Sequence, residues 1–189
     1  MTDDAGPWRP EFIEALKLLA RLSEAMDRRE LPRPVLVGGG AVEYYSGSAL
    51  MTGDIDVTSP VQPELEEELQ KLGFVRPSGA GKSLRGWVHG ELNFGFEVVA
   101  NVPMDGSVGA AHIALVDDLT PGASFAIISV EDLIADRMGQ FASGRAREML
   151  TQARELLYLH PNANLDYLDG RIREETFGDY GVIDVQSSE

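Results

Sequence analysis

The segment VLVGGGAVEYYSGSALMTGDIDV, residues 35–57, constrains this chain more than any other stretch. Val35-Leu36-Val37 fits a short buried strand that runs directly into Gly38-Gly39-Gly40. Ala41 to Ser46 then begins a helix, and a turn of small polar residues leads to Gly53. Asp54-Ile55-Asp56-Val57-Thr58 alternates polar and apolar residues as a half-buried strand does. Glycines at a helix N-terminus let backbone approach a phosphate closely, and the free N–H groups with the helix dipole favour an anion. Tight strand–helix packing also selects glycine there, so the triplet alone does not decide. Asp54 and Asp56 share one strand face, ~6.5–7 Å apart along the backbone. Two carboxylates so placed repel unless cations or solvent compensate. They can converge on two Mg²⁺ ions ~3.5–4 Å apart, the spacing of a two-metal phosphoryl-transfer site.

A third acidic residue fits the same chemistry. In LNFGFEVV, residues 92–99, Phe94, Phe96 and Val98 occupy one strand face and Gly95, Glu97 and Val99 the other. A carboxylate among apolar neighbours is costly to bury unless paired or metal-bound. Placed beside the Asp54/Asp56 strand, Glu97 can bind a metal and accept a proton from an attacking hydroxyl. A charge on a half-exposed sheet face is the bland alternative.

Around this centre the pattern predicts an α+β fold: a small mixed sheet, flanking helices and a helical C-terminal third. Phe12, Leu16, Leu19, Leu22 and Met26 recur at helical spacing over residues 10–30. SPVQPELEEELQKLG, residues 59–73, reads as a helix stopped by Gly73. Short strands are expected at 85–89, 92–99, 112–116 and 126–129. Ser129-Val130-Glu131-Asp132 has capping-box spacing and opens the helical part, with further helices at 144–159 and 164–175 and a loose tail from Thr176. The expected division is residues 1–125 as a catalytic-type core with its N-terminal helix, and 126–189 as a helical region packed on it.

Charge and composition narrow the functions. Lys+Arg number 16 against 31 Asp+Glu, a formal net charge of −15, which repels nucleic-acid backbone and argues against general DNA binding. A local basic patch at one RNA end stays compatible. With no cysteine there is no disulfide framework, thiolate metal site or thiol nucleophile. The three histidines, His89, His112 and His160, have no zinc-site spacing. No apolar run approaches a membrane span, and MTDDAGPWRPE lacks signal-peptide character, so a cytoplasmic protein is expected.

The order apolar strand, Gly-Gly-Gly, Asp-x-Asp and a distant acidic strand resembles the nucleotidyltransferases of the DNA polymerase β fold. GGGAVEYYSGSALMTGDIDV with ISVEDLIADRMGQF is most similar, within that superfamily, to bacterial nucleotidyltransferase-like proteins related to the AbiEii and MenT toxins. The resemblance spans about 35–57, 94–100 and 127–160. It implies that Gly38, Gly39 and Gly40 hold a triphosphate, that Asp54 and Asp56 ligate two Mg²⁺ (or Mn²⁺) ions, and that Glu97 completes the metal set or acts as base. Its helical motif, Ser-x-x-Glu/Asp-x-x-x-x-Lys, maps onto Ser129, Asp132 and Arg137, with arginine replacing lysine, and implies that these residues help bind the nucleotide. Gly40 also stands where many relatives carry serine. The implied function is transfer of an NMP from an NTP such as ATP or GTP to an acceptor hydroxyl on a tRNA end, a protein or a small molecule. A toxin–antitoxin setting would add a cognate antitoxin as partner.

Two other classes compete: a nucleotide-binding or interaction module that lost turnover, and a structural partner with an acidic binding face. GAGKS at 79–83 is not a P-loop, because Arg76 stands where its first glycine belongs. Lys82 and Arg85 fit a basic loop, and Trp87 with His89 could line a base pocket.

Overall fold

The computed structural model describes residues 6–77, 86–92, 94–144 and 146–187, apart from the side chain of Asp118. The chain divides into two compact units, Met1–Ile128 and Ser129–Glu189. Lys82, Arg85 and the GAGKS segment lie outside the described residues.

The first unit is a seven-stranded mixed sheet with helices. Its elements are α1 (Pro10–Arg28), β1 (Val35–Val37), α2 (Gly38–Tyr45), β2 (Asp54–Thr58), α3 (Gln62–Lys71), β3 (Phe74–Val75), β4 (Trp87–His89), β5 (Phe94–Ala100), β6 (Ile113–Thr120) and β7 (Ala123–Ile128). The strand order is β3-β4-β5-β2-β1-β7-β6. β2 pairs parallel with β5 and β1 parallel with β7, while the remaining pairs are antiparallel. The expected α+β class with a mixed sheet is therefore what the chain forms.

Alternation sorts each strand into two faces. Leu36, Ile55, Val57, Phe96 and Ile127 are buried on one of them. α1 covers that core with Phe12, Leu16, Leu19, Leu22 and Met26, all fully buried, and lies against β7 and α3. Its first residue is Pro10, whose missing N–H costs nothing in a first helical turn. Gly40 of α2 packs so closely that a Cβ would lie 2.9 Å from Leu36 Cδ1. Helix α2 thus starts at Gly38, earlier than the expected Ala41, because the glycines form its first turn rather than a loop before it.

The two sheet edges differ. β3 has only two residues. β6 pairs regularly with β7 from Ile113 to Val116, then shifts register before Thr120.

The second unit consists of α4 (Val130–Ala142), α5 (Glu148–Leu159), α6 (Leu165–Glu175) and α7 (Val182–Gln186). Leu133, Ile134, Met138, Leu156, Leu168 and Ile172 are among its fully buried apolar residues. Ser129 caps α4 by accepting from Asp132 N–H at 3.1 Å. The other half of the expected capping box is altered, since the Asp132 carboxylate accepts from the Ser129 hydroxyl at 2.8 Å. Residues 176–187 are held by tertiary bonds rather than loose. The Thr176 hydroxyl donates to Ile172 O and accepts from Tyr180 N–H, and Asp169 accepts from Val182 N–H at 2.8 Å, seating α7 with Val185 buried. Among the described residues no helix is long and apolar enough to cross a membrane.

Candidate functional site

The sheet register brings the three carboxylate positions together. Asp54 lies opposite Gly95 and Asp56 opposite Glu97 across the parallel β2–β5 pair. Paired residues of adjacent strands sit ~4.8 Å apart and point to the same side. Asp54, Asp56 and Glu97 therefore share one face, while Ile55, Phe96 and Val57 fill the other. Gly95 adds to this arrangement, since a Cβ there would stand 3.4 Å from Asp54 Cβ. Asp54 is exposed, and Asp56 and Glu97 are partly exposed, so all three can meet a ligand.

The glycine turn closes on the same aspartates. β1 runs antiparallel to β2 with Val37 opposite Asp56, so the first turn of α2 starts beside Asp56. Gly38 has φ +59°, a conformation that L side chains rarely adopt, and an added Cβ would lie 2.3 Å from Asp56 Oδ2. Gly39 N–H donates to that same oxygen at 3.3 Å. Asp54 Oδ1 accepts from the Thr52 hydroxyl at 3.0 Å. In this arrangement the side chains do not converge on a ready-made metal cluster of three among the described residues. The donor set nonetheless suits a hard divalent cation: three carboxylates on one face, partly exposed, with a glycine cradle where a side chain would intrude.

Behind the site is a group that sequence reasoning missed. Glu43 of α2 is fully buried and its carboxylate accepts four hydrogen bonds. Arg9 Nε and the Ser48 hydroxyl reach Oε1 at 2.6 and 2.9 Å, and Arg9 Nη2 and Thr52 N–H reach Oε2 at 3.1 and 2.6 Å. Burial pushes the Glu43 carboxyl up, but the hydrogen bonds from Arg9, Thr52 and Ser48 more than offset it and hold it below the usual range. The available signal was a lone glutamate inside the apolar run Gly40-Ala41-Val42-Glu43-Tyr44, an acid that burial would oblige to find partners.

The three positions of the helical motif, Ser129, Asp132 and Arg137, all lie in the second unit. Asp132 is fully buried, bonded to the Tyr167 hydroxyl at 3.0 Å and to Arg171 Nε at 2.7 Å. Its carboxylate and the Ser129 hydroxyl serve the interior of the helical unit rather than solvent. Arg137 is also buried; its Nη2 lies 3.3 Å from Asp136 and its Nη1 contacts Met149 Sδ. Its Nε and Nη2 have no hydrogen-bond acceptor among the described residues. Trp87 pairs with Phe96 and His89 with Phe94, on the face opposite Glu97, so they do not line a pocket with the carboxylates. Trp87 instead packs under the Arg76 guanidinium, 4.9 Å from the ring centroid.

No protein-family model and no curated protein sequence matches this chain. The fold, a central mixed sheet with helices, is however shared with solved structures. One of them is the antigenic nucleotidyltransferase-like protein from Paracoccidioides brasiliensis, at TM-score 0.57 and 16% identity over 82% of this chain and 78% of that one.

Proposed function

We propose that the chain is a metal-dependent nucleotidyltransferase that moves a nucleoside monophosphate from a nucleoside triphosphate to an acceptor hydroxyl. The observation that carries this reading is the pairing of Asp56 with Glu97, beside Asp54, on the face where the Gly38–Gly39 turn opens. Asp54, Asp56 and Glu97 would hold Mg²⁺ or Mn²⁺, giving up the hydrogen bonds that now occupy Asp54 and Asp56. Bound there, such cations supply Lewis-acid stabilisation of charge on the phosphate oxygens. Glu97 takes the proton of the acceptor hydroxyl. The acceptor oxygen bonds to the α-phosphorus as the bond from that phosphorus to the bridging oxygen breaks, and pyrophosphate leaves with the electron pair. The amides of Gly38, Gly39 and Gly40 cradle the departing phosphates. Ser129 and Asp132 build the helical unit by bonding to each other at its first helix.

The acceptor hydroxyl of this proposal belongs to a tRNA end, a protein side chain or a small molecule. The net charge of −15 disfavours a long RNA footprint. An AbiEii/MenT-like toxin with a cognate antitoxin, working in the cytoplasm where nucleoside triphosphates are abundant, is the finer form of the proposal. The alternative is a non-catalytic nucleotide-binding or interaction module, favoured by the hydrogen bonds that Asp54 and Asp56 already make.

The test is a thermal-shift titration with ATP, GTP, CTP and UTP, with and without Mg²⁺ or Mn²⁺, beside the Asp54→Asn/Asp56→Asn variant. A ligand at ~100 times its dissociation constant adds ~2.7 kcal/mol. A cation-dependent shift absent from the variant is expected. No shift with any triphosphate removes the enzyme reading.

A further inference from the structure

We infer that Arg9 and Glu43 are positioning residues for the cation site, and that the segment leading into α1 is part of the active-site architecture. The inference rests on the proposed function above and adds to it a role for residues distant from the carboxylate face.

The hydrogen bonds form one continuous path. Arg9 directly precedes α1 and grips both oxygens of Glu43. Thr52 is then held from both sides of its peptide backbone: its N–H donates to Glu43 Oε2 at 2.6 Å, and its carbonyl accepts from Arg9 Nη2. With its backbone fixed, Thr52 sends its hydroxyl to Asp54 Oδ1 at 3.0 Å. Ser48, at φ +62°, occupies a left-handed conformation uncommon for serine. It is kept there by accepting from Arg9 N–H at 3.1 Å and donating to Glu43. The preceding residues are seated too. Trp8 stacks on Tyr44 with ring centroids 5.1 Å apart and donates to Tyr44 O at 2.8 Å.

The path has a geometric consequence. Glu43 belongs to the helix whose first turn contains Gly39, the amide that meets Asp56. Thr52 belongs to the turn that delivers Asp54. The Arg9–Glu43 pair therefore sets the glycine turn against the aspartate strand, and so fixes the distance between the phosphate cradle and the metal-ligating carboxylates. A buried glutamate with four donors is a stiff anchor, and its loss leaves the 48–52 turn free to drift. Partners of this kind, bonded behind the ligands, typically tune metal affinity by ~10–100-fold.

The experiment measures Mn²⁺ binding to the full chain by electron paramagnetic resonance, in wild type, Arg9→Lys and Thr52→Val, with circular dichroism and Tm recorded for each. Arg9→Lys keeps the charge but cannot reach Glu43 and the Thr52 carbonyl with one planar fork. Thr52→Val keeps the backbone clamp and loses only the hydroxyl to Asp54. Both are expected to bind Mn²⁺ about 10-fold more weakly than wild type with native spectra. Should Arg9→Lys fail to fold, Thr52→Val decides alone. Wild-type binding with both folded variants within twofold of it overturns this inference and leaves the functional reading standing. A wild type that binds neither Mn²⁺ nor any triphosphate overturns the functional reading and this inference with it.

Discussion

Replacing Gly38 by alanine tests the closest contact at the site. At φ +59° a side chain is strained in itself, costing about 1–2 kcal/mol. The new Cβ would also lie 2.3 Å from Asp56 Oδ2 and 2.9 Å from Asp56 Cβ, so the aspartate must move. Forcing its side chain off a staggered rotamer costs about 0.5–1.5 kcal/mol. The Gly39 N–H to carboxylate bond, partly exposed and 3.3 Å long, adds about 1 kcal/mol when lost. The expected destabilisation is about 2.5–4.5 kcal/mol. Only the backbone strain should persist once the carboxylate and its Cβ are gone, so the same substitution in an Asp56→Gly background should cost about 1–2 kcal/mol. The coupling of about 1.5–2.5 kcal/mol is the quantity of interest. Urea unfolding followed by tryptophan fluorescence reports it cleanly, because the chain has two tryptophans, Trp8 and Trp87, and both lie in the first unit. Costs that agree to within about 0.5 kcal/mol in the two backgrounds would refute the contact as the cause.

In the second unit, Asp132→Ala leaves Arg171 buried beside Glu174 and Glu175 without its innermost partner; a loss of about 3 kcal/mol is expected in thermal unfolding monitored by circular dichroism. A cost under about 1 kcal/mol would show that the surrounding glutamates suffice. Burial, then the charge and hydrogen bonding of Asp132, push the Tyr167 phenol up to about 12. The folded state holds that proton more tightly than the unfolded chain, so its contribution to stability is complete below pH ~10 and is lost as pH rises through about 12. Absorbance at 295 nm in an alkaline titration should show a late-ionising component that is lost in Tyr167→Phe.

Much of the site was legible because its signals are local. Strict alternation in Asp54-Ile55-Asp56-Val57 fixes which side chains share a face, and the glycine triplet needs only its neighbours to be read as a helix start. Glu97 was legible as an acid in an apolar strand, but its place opposite Asp56 depends on a parallel pairing that no local pattern encodes. The Arg9–Glu43 pair was half legible: Glu43 stands out as a lone acid in an apolar run, but its partner Arg9 is far away in sequence and no local pattern joins them. Asp132 shows the converse. Its capping-box spacing is real, yet the carboxylate also meets Tyr167 and Arg171 from a helix far downstream, which turns a terminus signal into a buried ion pair. The tail from Thr176 read as loose because its anchor, the Asp169 carboxylate bonded to Val182 N–H, is a tertiary contact rather than a propensity.

The two ends of the sheet bear on how the molecule behaves among its own copies. An open edge is a template on which a foreign strand can polymerise. β3 offers only two residues of ladder, too little to seed a growing stack. β6 is longer and exposes Leu115, but its register breaks after Val116, where the sequence continues Asp117-Asp118. An incoming strand would lose its hydrogen bonds at the irregularity and meet like-signed charge on a chain already at −15. The protein carries its own guard against amyloid-like stacking at both margins, and neutralising Asp117 is the change that would weaken it.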